Sequence, residues 1–244
     1  MSAPRRAGTV ALAALFLFAF VGFVALGAWQ LQRRTWKLDL IERVDQRVHA
    51  QPVAAPPPER WRTMNPADDE YRRVRLAGTF LHDRETLVQA VTELGGGYWV
   101  MTPLRTLGGN IVLVNRGFVL PDRRDRSKRA GREPSGEVTV TGLVRFSEPA
   151  GGLMGLLRRN DPTAERWYRR DVAAIVSARR LPDGAPWFLD ADPIPDTEPV
   201  GGLTVISFSN NHLVYALTWF ALALIAAFGA FRLLRSDGAT RIST

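Results

Sequence analysis

Two long apolar stretches, one near each end of the chain, constrain the fold more than any other feature. Residues 10–28 contain no polar side chain, and residues 213–231 are interrupted only by Tyr215, Thr218 and Trp219 before Arg232. A helix of about 20 such residues covers the ~30 Å hydrocarbon core of a bilayer. The sequence therefore predicts two transmembrane helices, at residues 10–31 and 212–231.

A cleaved signal peptide is the alternative interpretation of the first stretch, because Arg5 and Arg6 precede it as a basic region would. Its apolar run is longer than the usual 7–15 residues, and no clean cleavage site follows it. Two spans place both termini on one side of the membrane. The basic residues do not decide which side, since those around the second span favour a cytoplasmic C-terminus and those around the first argue the opposite.

The composition excludes several classes of chemistry. The 244 residues include no cysteine and only three histidines, at positions 49, 82 and 212. Disulfides, thiolate metal sites, cysteine nucleophiles and covalent haem attachment are therefore excluded, and no two histidines are close enough to form a local metal-binding pair. The G-x-S-x-G, P-loop and G-x-G-x-x-G motifs are absent as well. A membrane-anchored hydrolase or oxidoreductase is accordingly the least supported reading, and we expect a protein that is not an enzyme.

The region between the spans has the pattern of a small β-rich domain. Residues 37–48 carry an apolar stripe at helical spacing, and the proline-rich residues 51–58 end that helix. Seven short β-rich runs follow, separated by glycine turns: 71–81, 86–91, 98–104, 111–119, 138–146, 186–189 and 203–208. A short helix over 172–180 has Asp171 as its N-cap. We predict a mainly antiparallel β (α+β) domain, barrel-like or sandwich-like, between the two spans of a helical hairpin.

The predicted boundaries follow from these patterns: an N-terminal tail 1–9, span 10–31, a helix extension and proline-rich linker 32–58, a β-rich domain 59–211, span 212–231 and a C-terminal tail 232–244.

Two charged segments of this domain are assigned structural roles. Residues 123–132 carry six basic side chains, but acidic residues lie within and beside them and aromatic residues are missing. We interpret the segment as a solvated loop rather than a nucleic-acid surface, with contact to anionic headgroups or an acidic partner as a looser alternative. Asp190 and Asp192 have the spacing of paired carboxylates, but no nucleophile accompanies them, so turn or capping roles are expected.

His212, at the start of the second span, is the most informative single residue. Asn210 and Asn211 precede it as helix N-caps, and Tyr215 and Trp219 share its helical face. The first span reaches the same membrane surface at Trp29, Gln30, Arg33 and Arg34. An ionisable residue in a span is a functional candidate, and imidazole is a haem-iron ligand while arginines suit haem propionates. An interfacial histidine that only hydrogen-bonds water or headgroups is the alternative, and the residues alone leave both open.

At these residues the chain resembles the Surf1 (Shy1) family of cytochrome c oxidase assembly factors. Six segments carry the resemblance: 27–37 (GAWQLQRRTWK), 71–80 (YRRVRLAGTF), 114–119 (VNRGFV), 167–174 (WYRRDVAA), 186–192 (PWFLDAD) and 210–220 (NNHLVYALTWF). Two positions depart mildly, Phe118 where Trp is usual and Trp187 where Tyr is common. Both stay aromatic, so packing alone is affected.

The resemblance implies a function in haem delivery. It implies that the protein helps haem a reach subunit I of aa3-type cytochrome c oxidase, with the termini in the cytoplasm or matrix and the central domain in the periplasm or intermembrane space. The family's haem-binding histidine corresponds to His212. Only nine residues precede the first apolar run, too few for a mitochondrial transit peptide, so a bacterial inner-membrane protein is expected, with a processed mitochondrial form as the alternative.

The expected site binds haem a transiently and without a covalent bond, with His212 as axial iron ligand. The residues expected around it are Trp29, Gln30, Arg33, Tyr215 and Trp219. The expected partners are subunit I, the lipid bilayer and a haem a synthase, and a helix of either protein would approach at the small residues Ala223, Ala226, Ala227 and Ala230. No nucleic acid is expected. The competing hypothesis is a scaffold without cofactor, which stabilises an assembly intermediate of subunit I through the β domain and its glycine-rich turns.

Overall fold

The computed structural model of the chain describes residues 3–129, 133–149, 158–195, 197–203 and 210–239. For residues 3–7 and 236–239 it describes the backbone alone. The chain forms two compact units, one of Met1–Arg43 with Ser207–Thr244 and one of Val44–Ile206. The described helices are α1 Ala3–His49, α2 Pro66–Asp69, α3 Val172–Ala178 and α4 His212–Ala239. The described strands are β1 Val53–Ala54, β2 Arg73–Phe80, β3 Thr86–Thr92, β4 Gly95–Thr106, β5 Ile111–Val119, β6 Glu137–Phe146 and β7 Gly184–Ala191.

The helical unit pairs α1 with α4, and both helices are long and apolar enough to cross a membrane by length and composition. Small residues on one face of α4 are buried: Ala216, Ala223 and Ala226. Gly27 of α1 lies so close to Phe220 that an added Cβ would sit 2.5 Å from the ring. Small residues at a helix contact allow this close approach of the backbones. The prediction that Ala223 and Ala226 receive a partner's helix is therefore wrong, since the chain's own packing covers them.

The β unit contains a closed barrel. Five strands form the ring in the order β2-β6-β7-β5-β4, and β4 pairs with β2 to close it, while β1 lies beside β2 and β3 beside β4. Among the pairings between the described strands, β1–β2 and β5–β7 are parallel and the others antiparallel. At the closure Gly78 pairs with Thr106, and an added Cβ at Gly78 would lie 2.2 Å from the Arg105 carbonyl oxygen. Any larger residue at position 78 would clash with the β4 backbone, so glycine is required where β2 and β4 pair to close the barrel.

The core of the β unit is divided between the inside of the barrel and one outer face. One cluster includes Val112, Val114, Trp187 and Leu189. The residues that alternate with them along β5 and β7 belong to a second cluster, with Ile175 of α3 and Trp167. Successive side chains of a strand point to opposite faces, so β5 and β7 are covered on both sides. This double burial explains the continuous apolar run at the start of β5.

The secondary structure agrees well with the sequence predictions. Six of the seven predicted strands are present, α3 begins with the Asp171 side chain accepting a hydrogen bond from the Ala174 amide, and the barrel rather than the sandwich is confirmed. Residues 204–208 of the seventh predicted strand lie outside the described residues. The short strand β1 was not predicted. It lies in the proline-rich segment, whose extended backbone suits strand pairing.

Candidate functional site

His212 is the first residue of α4. The carbonyl of Asn211 accepts the first helical hydrogen bond, from the Tyr215 amide at 3.2 Å, so Asn211 occupies the predicted capping position. The His212 side chain is half-buried, and its Nδ1 lies 2.7 Å from Oε1 of Gln30 on α1. The structure thus brings together two residues that are 182 positions apart in the sequence.

The predicted aromatic residues divide into two groups. Trp219, two turns after His212, stacks on Phe23 of α1 with ring centroids 5.7 Å apart. Tyr215 and Trp29 point outward instead, with 54% and 50% of their surface exposed. The contact between α1 and α4 therefore holds His212 and Trp219, while the other two rings face the surroundings of the helices.

Arg33 lies between two tryptophans on α1. Its guanidinium carbon is 4.8 Å from the ring centroid of Trp36 and 6.0 Å from that of Trp29. A cation over an indole face is attracted to it, so both rings hold the charge one turn beyond Gln30. Sequence reasoning did not include Trp36, although its spacing from Arg33 places both on one helical face.

A second cluster, which the sequence analysis did not predict, lies in the β unit around Asp190. This β7 carboxylate is buried and accepts hydrogen bonds from Asn115 Nδ2 at 2.8 Å, Arg145 at 3.1 Å and Arg170 at 3.0 Å. The expectation of a turn or capping role for Asp190 is therefore wrong. Asp192, just beyond β7, is more exposed and pairs with Arg73.

Each arginine of the cluster has further partners. Arg170 also binds Glu148 and lies over the rings of Trp99 and Phe188. Arg145 also binds Glu70 and lies over the ring of Tyr71. Burial lowers the pKa of Arg145, but the surrounding carboxylates, Asp190 foremost, outweigh it and leave the pKa above its ordinary value. The arginine stays charged, as an ion pair that holds the barrel together requires.

Within residues 123–129, the described part of the basic segment, two arginine side chains make specific ion pairs. Arg126 makes a two-pronged ion pair with Glu133, in which its Nε donates to Oε1 and its Nη2 donates to Oε2. Arg129 is buried, binds Glu85 at 2.7 Å and donates to the carbonyls of Arg123 and Arg124. The solvated-loop prediction is therefore wrong for Arg129, whose charge is compensated inside the β unit. Within the part of the chain that the structure describes, no group of three or more His, Asp or Glu side chains could hold a metal ion.

Comparison with known proteins decides the family. The model of the SURF1 family matches residues 17–224. The chain belongs to the SURF1 family. It is 34% identical over 227 residues to surfeit locus protein 1 of Homo sapiens, which covers 85% of this chain and 72% of the human protein. The corresponding rat protein, from Rattus norvegicus, is 34% identical over 225 residues, 85% of this chain and 70% of the relative. A SURF1-like protein of Monosiga brevicollis is 35% identical over 234 residues, 88% of this chain and 84% of the relative.

The SURF1 match spans both clusters described above. It includes Gln30 and His212 in the helical unit and Asp190 with its partners in the β unit. The segments that carried the resemblance in the sequence fall largely on these clusters, with Asn115, Arg170 and Asp190 each coming from a different segment. In the β unit, three of these segments therefore meet at one buried ion network of this chain.

Proposed function

We propose that this SURF1 protein is an assembly factor for aa3-type cytochrome c oxidase, which binds haem a and assists its insertion into subunit I. Membership of a family known for cytochrome c oxidase assembly supports the general role. The observation that carries the specific role is the position of His212, half-buried at the start of an apolar helix and bonded to Gln30. The protein acts as a carrier and not as an enzyme.

The residues near His212 suit haem a as a cargo. An imidazole is a common axial ligand of haem iron, and Arg33, on the turn after Gln30, supplies a positive charge of the kind that pairs with carboxylates. Trp219 and the outward rings of Trp29 and Tyr215 offer apolar surface for a macrocycle. A single neutral ligand binds reversibly, as delivery requires. The haem supplies the iron and the carboxylates, and the chain supplies the imidazole, the cation and the aromatic surface.

The apolar surfaces of both helices support a membrane location. Large side chains on them are widely exposed, including Phe18, Leu224 and Phe228, and such residues are stable in a hydrocarbon environment. We propose a bacterial inner-membrane protein that spans the bilayer twice, with both termini in the cytoplasm and the β domain in the periplasm. The tail of haem a would then lie among lipids along the helices, where its exposure has little cost.

The haem role is tested by purifying the protein in detergent from cells that make haem a and recording its absorption spectrum. We expect a haem a spectrum that is largely lost in His212→Ala. His49→Ala is the matched control, because His49 lies on α1 with its side chain exposed and paired to Asp45. A haem signal unchanged in His212→Ala would contradict the ligand assignment.

A scaffold without cofactor is the second candidate, and exposed apolar residues on the β unit favour it. Val91 and Leu94, beside the β3–β4 turn, have 86% and 50% of their surface exposed. Exposed apolar residues at one place can mark a contact surface, whereas single ones are common on any protein. If haem-free protein still co-purifies with subunit I, and Val91→Asp with Leu94→Asp abolishes that association, the scaffold function is favoured.

A further inference from the structure

We propose that Gln30 is a positioning residue that places the imidazole proton of His212 on Nδ1 and leaves the Nε2 lone pair available. The observation is the 2.7 Å separation of Gln30 Oε1 and His212 Nδ1. An amide oxygen only accepts hydrogen bonds, so the ring nitrogen facing it must carry the proton. A neutral imidazole has one N–H and one lone pair, and the lone pair then lies on the opposite nitrogen.

The surrounding packing holds this pair in place. Gln30 and His212 are both partly buried on their helices. One to two turns away, Gly27 contacts Phe220 and Phe23 stacks on Trp219, which fixes the rotation of α1 relative to α4. A hydrogen bond shielded from water is stronger than one in bulk solvent. Gln30 therefore imposes a ring orientation that an isolated histidine at a helix start does not have.

The functional consequence rests on the proposed haem role. Iron binds the unprotonated nitrogen, so Gln30 presents Nε2 as the ligand atom. A hydrogen bond to the other ring nitrogen orients a metal-bound histidine and raises its basicity, and loss of such a partner typically weakens metal binding about 10–100-fold. We therefore expect Gln30 to set the strength of the iron–imidazole bond as well as the direction of the ring.

The first experiment needs no haem. Nitrogen-15 NMR of the full chain in detergent distinguishes a histidine protonated on Nδ1 from one protonated on Nε2, and with three histidines the His212 signals are assigned by their loss in His212→Ala. We expect the Nδ1-protonated form in the native protein, its loss in Gln30→Met and its return in Gln30→Glu, which restores an acceptor oxygen. Gln32→Met is the matched control, because Gln32 is exposed on the same helix. Protonation on Nε2 in the native protein, or an unchanged signal in Gln30→Met, would overturn the proposal.

The second experiment measures the iron–histidine stretching frequency of the ferrous haem-loaded protein by resonance Raman spectroscopy. We expect a lower frequency and about 10-fold weaker haem retention in Gln30→Met, and a higher frequency in Gln30→Glu, whose carboxylate is a stronger acceptor. A frequency unaffected by either substitution would overturn the positioning role. If the native protein binds no haem, the proposed function fails, while the NMR result still decides whether Gln30 sets the imidazole proton.

Discussion

Removal of the Asp190 carboxylate is the most demanding test of how the β unit is held together. In Asp190→Ala the side-chain donors of Asn115, Arg145 and Arg170 lose their common acceptor at a site where the carboxylate is only 2% exposed. Breaking a buried ion pair from one side costs about 3–5 kcal/mol, because the remaining charge is left uncompensated. Each arginine keeps a second carboxylate, Glu70 or Glu148, so we expect the lower end of that range, about 3 kcal/mol.

The assay is thermal unfolding of the full chain in detergent, followed by near-ultraviolet circular dichroism, which reports tertiary packing around the aromatic residues of the β unit. For a domain of about 150–250 residues, 1 kcal/mol corresponds to about 2–4 °C in Tm. Asp190→Ala should therefore lower the Tm by about 6–12 °C. Asp190→Asn, which keeps one acceptor oxygen, should lie between this variant and the native protein.

Asp192→Ala is the control for this series, since Asp192 is two residues away on the same segment but 28% exposed in its pair with Arg73. A partly exposed ion pair contributes about 0–1 kcal/mol, so its Tm should fall by no more than about 4 °C. Equal effects of the Asp190 and Asp192 substitutions would refute the argument that burial of the network determines its contribution.

Three further predictions concern other contacts. Gly27→Val should slow cross-linking between two cysteines introduced one on each of the helices α1 and α4, because the new Cβ meets the ring of Phe220 on α4. Gly22→Val is the control and should leave the cross-linking rate unchanged, since nothing lies within 4 Å of a Cβ at that position. Hydrogen bonds from Arg179 hold the pKa of Glu165 below its ordinary value of 4.5. The pair of Arg179 and Glu165 therefore stabilises the fold above pH 4.5, and this stabilisation is lost as the pH falls through the lowered pKa. Glu165→Gln should remove that part of the acid sensitivity in a series of Tm measurements between pH 6 and 3, by less than about 1 kcal/mol since the side chain is half-exposed. Arg129→Ala should cost about 3 kcal/mol in the same unfolding assay, because it leaves the carboxylate of Glu85 buried without its ion partner, and a Tm equal to that of the native protein would contradict this.

Most of the fold could be predicted from local sequence patterns, because the start, end and type of a strand or helix depend on residues only a few positions apart. Alternating apolar residues and glycine turns placed the strands, and an aspartate before an apolar run placed the start of α3 at residue 172. Barrel closure was only one of two alternatives in the sequence. It depends on β4 being long enough to pair with β3, β5 and β2 along its length, which no local pattern encodes.

The candidate site was predicted only in part, because a local pattern identifies single residues and does not show which distant residues they contact. His212 stood out because an ionisable side chain begins an apolar run, and Gln30 because it ends one. Their direct contact required the rotation of two helices about their axes, which their spacing within each helix does not give. The role of Asp190 was missed because its partners, Asn115, Arg145 and Arg170, come from distant segments. A lone carboxylate in a sequence gives no sign of the arginines that surround it.

The order of the strands in the ring has a consequence for synthesis of the chain. β7 is the last of the barrel strands to be made, yet it lies between β6 and β5. Until it emerges, both neighbours present unpaired backbone edges of the kind that invite wrong pairing, and Asn115 and Arg145 lack the carboxylate that joins them. The β unit therefore cannot close strand by strand as it is translated. A chain terminated anywhere before residue 184 should be cleared as a misfolded product rather than persist as a partly active fragment.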